Sequence, residues 1–269
     1  MKTFLYVYIL FTSVVLADIK TVYLHSKVKE YAPITRDEYY EYISVFEELL
    51  KDTSKINHAA LKKLNFKLVS LNDEMIALTD TSAKGRGLYL IKKTASVSTM
   101  LSIPHRFYDT KTGFIGRKLV QEAPYKAAAF NTVHRKSMDA AHTRMSAFNA
   151  FHVAYARVYP HSNIYQIHGF SNTKRREVLL QRAGVIVSSS SLRVNEKLTS
   201  LACCLKGIHQ ETRVYGRDVF ELGGTKNAQY LSLAQEGYSG FVHIELNAQF
   251  RNDLSENKAL RKSFSRCCK

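Results

Sequence analysis

The sequence has few of the features that separate a chain into domains or that bind nucleic acid. Only four prolines occur in 269 residues, so a proline-rich linker is absent, and there is no internal repeat or long low-complexity tract. No helix-turn-helix, zinc-finger spacing or aromatic RNA-binding motif is present, which argues against a specific nucleic-acid partner. The length and the apolar content of 45% fit one large globular domain, or one domain with a small appendage.

Two common catalytic motifs are also missing. The four serines at 188–191 follow an apolar run, but no GxSxG elbow surrounds them, which argues against a serine nucleophile. Gly223, Gly224 and Lys226 lie before a predicted helix without the Walker spacing. The sequence therefore offers no standard phosphate loop for a phosphoryl-transfer enzyme.

Residues 1–17 have the pattern of a secretory signal peptide. Lys2 precedes an apolar stretch over 4–16, and the small residue Ala17 suits cleavage before Asp18. An uncleaved anchor is the alternative, although the apolar stretch is short for a membrane span. No second stretch is apolar enough to cross a bilayer. We therefore expect a secreted or periplasmic protein with no transmembrane segment after signal removal.

The net charge is strongly positive, because 39 lysines and arginines outnumber 23 aspartates and glutamates to give +16. Such a surface attracts polyanions, acidic membranes or acidic substrates. The basic residues are dispersed, however, and a generally basic exported protein would show the same excess. Charge alone does not choose between these interpretations.

The four cysteines form two adjacent pairs, Cys203 with Cys204 and Cys267 with Cys268. An even number in an exported chain favours disulfides, and adjacent cysteines rarely bridge each other because the small ring is strained. We expect one or two bridges from the Cys203 region to the C-terminal tail. A zinc–thiolate cluster is the alternative, but it lacks CxxC spacing.

Strand and helix patterns alternate after Gly87, which predicts an α/β fold with a mostly parallel mixed sheet flanked by helices over residues 87–269. Residues 18–86 are predicted to form a small α+β lead-in packed on this core, with a helix starting at Thr35 and a hairpin over 67–80. The main predicted strands are 88–91, 99–103, 127–133, 164–167, 184–187 and 241–246. The main predicted helices are 112–122, 140–159, 195–205 and 227–235.

Three candidate metal ligands lie at the ends of predicted strands. His105 and Asp109 are four residues apart in SIPHRFYDTKTG, and His168 ends the run IYQIHGF. The carboxyl ends of parallel strands gather functional groups, and a catalytic zinc site needs three such ligands and one open position. Each residue also has a plainer interpretation: His105 as a helix cap, Asp109 as a turn residue and His168 as the end of a strand.

A candidate general base, Glu245, lies in the apolar run VHIEL. A buried carboxylate there is costly unless it is paired or functional, but strict alternation does not show which face of the strand is buried. Arg117 and Arg135 are candidates for binding a substrate carboxylate. In the nearby HRKSMDAAH, Asp139 is predicted to begin the long helix and His142 to be exposed on it.

These motifs together resemble the N-formylglutamate amidohydrolase-like group of zinc-dependent hydrolases, distant relatives of zinc carboxypeptidases. The resemblance covers residues 87–261 and departs from the carboxypeptidases, whose HxxE is replaced by HxxxD. It implies zinc ligands His105, Asp109 and His168, the general base Glu245 and a substrate-binding arginine at Arg135. The implied activity is cleavage of an amide bond in a peptide or N-acyl amino acid. The alternative is a non-catalytic basic protein that binds anionic polymers on a hydrolase-like fold.

Overall fold

The computed structural model describes residues 17–268, so the predicted signal peptide lies outside the described residues apart from Ala17. Nine strands are found in this part of the chain. They are β1 Phe66–Ser70, β2 Met75–Asp80, β3 Leu88–Lys92, β4 Thr99–Ile103, β5 Ala127–Phe130, β6 Asn163–Gly169, β7 Val185–Ser188, β8 Thr212–Val214 and β9 Phe241–Leu246.

Ten α-helices accompany these strands within residues 17–268. They are α1 Ile19–His25, α2 Arg36–Lys51, α3 His58–Lys63, α4 Thr112–Glu122, α5 Ala147–Val158, α6 Val178–Arg182, α7 Glu196–Lys206, α8 Ala228–Gln235, α9 Ala248–Glu256 and α10 Lys258–Cys267. None of these described helices combines the length and apolarity that crossing a bilayer requires.

The described strands form one sheet in the order β1-β2-β3-β5-β4-β6-β9-β7-β8. The predicted α/β class and the mixed sheet flanked by helices are confirmed. The sheet is less parallel than predicted, because four of the eight strand pairs described here are antiparallel. The parallel pairs join β4 to β5, β4 to β6, β6 to β9 and β7 to β8. Strands β4, β6 and β9 therefore end at one edge, which is where the candidate site lies.

The predicted hairpin in the lead-in forms and extends the same sheet. Strand β2 pairs with β1 on one side and with β3 on the other, both antiparallel. Helix α2 begins at the predicted place because Thr35 and Glu38 form a capping box, with Glu38 N donating to Thr35 Oγ1 and Thr35 N donating to Glu38 Oε2. This helix packs on α5, where the rings of Phe46 and Phe151 are 5.2 Å apart.

Helix α5 is shorter than the predicted helix over 140–159. It begins at Ala147 because Ser146 is its N-cap, with the Ser146 hydroxyl accepting from Asn149 N at 3.1 Å. The prediction that Asp139 begins this helix was wrong. Residues 139–146 form turns instead, which leaves the Asp139 carboxylate free to contact the strand ends.

One disulfide, Cys204–Cys267, joins α7 to α10. It confirms the predicted bridge between the Cys203 region and the C-terminal tail. Cys203 is exposed and Cys268 is buried, and neither is in a disulfide.

Candidate metal centre

The three predicted ligands meet at the carboxyl edge of the sheet. His105 lies in the turn after β4, and Asp109 N donates to His105 O at 2.9 Å, which brings both side chains to the same side of that turn. His168 is the penultimate residue of β6, which is parallel to β4. All three side chains are buried. The structure therefore brings the three candidate residues together at one place.

The ligand atoms of the three residues face one another. Nδ1 of His105 lies 3.2 Å from Nδ1 of His168 and 3.4 Å from Oδ2 of Asp109, and Nδ1 of His168 lies 3.6 Å from the same oxygen. Tetrahedral zinc with bonds of about 2.0–2.1 Å separates its ligand atoms by about 3.4 Å. The spacing therefore fits a zinc ion held by His105, Asp109 and His168.

The outer nitrogens of both histidines are hydrogen-bonded away from the ligand cluster. Nε2 of His105 lies 2.8 Å from Asp139 Oδ1, and Nε2 of His168 lies 2.8 Å from Gln166 Oε1. Both oxygens are acceptors, so both Nε2 atoms carry a hydrogen and Nδ1 is the nitrogen of each ring that faces the cluster and could bind a metal. Histidine ligands of metals are usually oriented in this way by a second group.

Burial and hydrogen bonding set the charges in the cluster. Burial lowers the pKa of the His168 imidazole to about 4, so this ring is neutral at pH 7. Burial also lowers the pKa of His105, but its bonds to Asp109 and Asp139 outweigh that effect and raise it. Burial would raise the pKa of Asp109, yet the two histidines hold the pKa of this carboxyl well below its usual range. Gly169 N also donates to Asp109 Oδ2 at 3.0 Å. Asp109 is therefore an ionised carboxylate with a fixed orientation.

Glu245 lies beside His168 because the two residues are paired in register on β9 and β6. Its side chain is buried, and Oε1 lies 3.2 Å from Nε2 of His243. Among the described residues, Oε2 of Glu245 has no hydrogen-bond partner. Glu245 also lines the cavity described below, and a buried carboxylate oxygen without a partner on such a residue is a candidate proton acceptor.

A cavity of about 600 Å³ opens over the ligand cluster. Its lining includes the three ligands and Glu245 together with four cationic side chains, which are Arg135, Lys174, Arg175 and Arg251. Two of these cations are tied to acids, since Arg135 Nε donates to Asp139 Oδ2 at 2.9 Å and Arg175 Nη1 lies 3.6 Å from Glu221 Oε2. Within the lining itself, these four cations face the two carboxylates of Asp109 and Glu245, and this excess of cations favours an anionic molecule.

Of the two arginines predicted to bind substrate, the structure brings only Arg135 to the cavity. Arg117 does not line it. This arginine is buried on α4, where Nη1 donates to Gln121 Oε1 at 3.0 Å and the guanidinium lies 5.2 Å from the Phe114 ring. Lys174, Arg175 and Arg251 line the cavity instead, and the sequence pattern did not distinguish them from surface charges.

Three residues at the site were not predicted from the sequence to take part in it. Arg251 lies on α9 at the cavity wall, Asp139 contacts His105, and Gln166 contacts His168. A signal existed for Gln166, because a polar residue two positions before His168 lies on the same face of β6. A signal existed for Arg251 too, since it lies six residues after Glu245, at the end of the HIELNAQFR segment.

No family model and no curated protein matches the sequence. The fold is similar to that of several solved hydrolases. One is an N-formylglutamate amidohydrolase from Ralstonia eutropha, at 9% identity and TM-score 0.46, over 68% of this chain and 96% of that one. Another is an aspartoacylase family protein from Mesorhizobium loti, at 10% identity and TM-score 0.45, over 76% of this chain and 70% of that one. A bacteriophage poly-gamma-glutamate hydrolase matches at 14% identity and TM-score 0.39, over 66% of this chain and 87% of that one. Likeness at this level leaves the reaction to be inferred from the side chains.

Proposed function

We propose that this chain is an exported, zinc-dependent hydrolase that cleaves an amide bond in a small peptide or an N-acyl amino acid. The observation that carries this proposal is the convergence of three buried side-chain atoms suited to a metal, in a cavity that Glu245 also lines, with its Oε2 unpaired among the described residues. Zinc bound by His105, Asp109 and His168 would supply Lewis acidity, lowering the pKa of water and polarising the amide carbonyl.

Glu245 is the proposed general base. Its free oxygen accepts the proton of the attacking water, and the protonated carboxyl then donates to the leaving nitrogen. Because Glu245 is anchored on a central strand and bonded to His243, its position relative to His168 is fixed by the sheet. The proposed base is therefore held by a strand and not by a loop.

The cationic side chains of the cavity are proposed to bind the substrate carboxylate. Arg135 uses Nε for Asp139, which leaves the terminal nitrogens of its guanidinium for a ligand. Lys174 and Arg251 line the same cavity. The proposed export is supported by the Cys204–Cys267 disulfide, because such bonds persist in oxidising compartments.

The deciding experiment measures the metal content of the purified chain without its first 17 residues. We expect about one zinc per chain, lost in His168→Ala and retained in the control His161→Ala, which removes an exposed histidine. Absence of metal in the wild type after zinc is supplied would contradict the catalytic proposal. The basic protein that binds anionic polymers would then be the better account.

A further inference from the structure

We propose that a buried network of side chains fixes the tautomer of His168, with Gln166 at its centre and His152 at its far end. The purpose of this network rests on the proposed function. The tautomer that the network selects leaves the lone pair of His168 Nδ1 facing Asp109 and His105.

The first anchor is the carbonyl of Phe148. Its oxygen only accepts, so His152 Nδ1, at 2.7 Å, must donate to it. His152 is fully buried, and burial lowers the pKa of its imidazole to about 4. The ring is therefore neutral at pH 7, and its Nε2 carries a lone pair.

That lone pair determines the direction of the next bond. Nε2 of His152 lies 2.7 Å from Ser102 Oγ, so the Ser102 hydroxyl donates to it. Ser102 Oγ can then only accept from its other partner, Gln166 Nε2 at 3.1 Å. Ser102 and Gln166 are adjacent because they are paired in register on β4 and β6.

A second anchor forces the same orientation of Gln166. Nε2 of Gln229 donates to the Ala140 carbonyl oxygen at 2.9 Å, so Oε1 of Gln229 accepts from Gln166 Nε2 at 3.0 Å. Both hydrogens of the Gln166 amide nitrogen are thereby used, one towards Ser102 and one towards Gln229.

A third anchor fixes the oxygen end of Gln166. Asn227 Oδ1 accepts from the main-chain nitrogens of Gln229 at 3.0 Å and Tyr230 at 3.1 Å, so its amide nitrogen must be the group that faces Gln166 Oε1. The remaining acceptor capacity of Oε1 is directed at His168 Nε2, 2.8 Å away. His168 must therefore donate from Nε2, because the other tautomer would set two lone pairs against each other in a dry site.

Gln166 is thus a positioning residue with every hydrogen-bonding group used. Its orientation is determined by main-chain groups of α8, of the Ala140 turn and of α5, none of which touches the ligand cluster. The same arrangement accounts for the buried polar residues Ser102, His152 and Gln229, which a purely structural core would replace with apolar side chains.

The test is the ¹⁵N spectrum of the histidine rings in the metal-free protein, with the His168 signals identified by their loss in His168→Gln. We expect the neutral form of the His168 ring to carry its hydrogen on Nε2. Hydrogen on Nδ1, or rapid exchange between the two tautomers, would overturn the proposal whether or not the protein binds zinc. The expected tautomer in a protein that binds no zinc would support the network while refuting the proposed function.

Two variants separate positioning from structural support. Gln166→Met should populate both tautomers of His168 and lower zinc affinity, measured by competition with a chromophoric chelator, by about 10- to 100-fold. Ser102→Ala removes one anchor and leaves the other two, so the tautomer should persist. The control Gln210→Met alters an exposed glutamine and should change neither readout. A Gln166→Met protein with an unchanged His168 spectrum would contradict the proposal, and if that variant fails to fold, the wild-type spectrum still decides.

Discussion

Asp139 Oδ1 lies 2.8 Å from Nε2 of His105, so a carboxylate from a loop orients a proposed zinc ligand that follows a central strand. The same carboxylate accepts from Arg135 through Oδ2, and His142 Nδ1 lies 3.1 Å from that oxygen. Asp139 therefore connects the ligand cluster to a cation at the cavity wall. The contribution of Asp139 to zinc affinity can be measured separately from that of the proposed ligands.

We expect Asp139→Asn to weaken zinc binding by about 10- to 100-fold while the protein stays folded, because the orienting acceptor of His105 is lost but the ligands remain. Competition with a chelator measures the affinity, and thermal unfolding checks the fold. Asp73→Asn, which alters an exposed turn, is the matched control. Equal zinc affinity in Asp139→Asn and wild type would show that this bond does not matter.

Glu245→Gln should strongly slow hydrolysis without removing the metal. The amide cannot accept the proton of water, and loss of a general base lowers turnover by about 10²- to 10⁴-fold. The measurement is kcat on an N-acyl amino acid that the wild type cleaves, together with zinc content. Glu48→Gln, on the exposed face of α2, should keep wild-type kcat. Unchanged kcat in Glu245→Gln would assign the proton transfer to another group.

Arg135→Gln should raise KM for a substrate with a free carboxylate by about tenfold, since one charge-assisted hydrogen bond is lost. Its effect on the amide analogue of that substrate should be small. Arg117→Gln is the informative comparison, because Arg117 is a buried arginine that does not line the cavity. It should affect stability and leave KM unchanged. A larger KM effect from Arg117→Gln would place the substrate elsewhere.

Cys204→Ser should lower the free energy of unfolding by about 4 kcal/mol, because the bridge closes a long loop in the unfolded chain. The two cysteines are 63 positions apart. Denaturant unfolding measures the change, and dithiothreitol should destabilise the wild type similarly. Cys203→Ser removes the neighbouring exposed thiol and should leave stability unaltered. Equal stability of Cys204→Ser and wild type would mean that the bridge does not constrain the chain.

Local patterns predicted the elements whose limits depend on nearby residues. Helix α2 began at the predicted place because the Thr35 and Glu38 capping box is contained within four residues. The start of α5 was predicted too early because Asp139 and Ser146 are both suitable N-caps. Only the structure shows that Ser146 caps the helix and that Asp139 contacts His105 instead. Strand β8 was not predicted, since three residues carry too little pattern.

The candidate site was predictable where chemistry and strand ends coincide. His105, His168 and Glu245 combine a candidate ligand or base side chain with a position at or just after the end of an apolar run, and Asp109 follows His105 by four residues. Arg117 and Arg135 could not be told apart, because the direction of an arginine depends on how its segment packs on the sheet. The Gln166 network could not be predicted from the sequence for a similar reason. Its members come from separate segments of the chain and are brought together only by the folded sheet and its strand register.

The pairing of His168 with Glu245 also limits how β9 can change in length. Side chains alternate along this strand, with His243 and Glu245 on the cavity side and Ile244 and Leu246 in the opposite core. An insertion or deletion of one residue within β9 would exchange these two sets, burying the carboxylate in the apolar layer and leaving an isoleucine or leucine in its place. Changes of two residues preserve the alternation, so homologous chains that keep this chemistry should differ in β9 only by even numbers of residues.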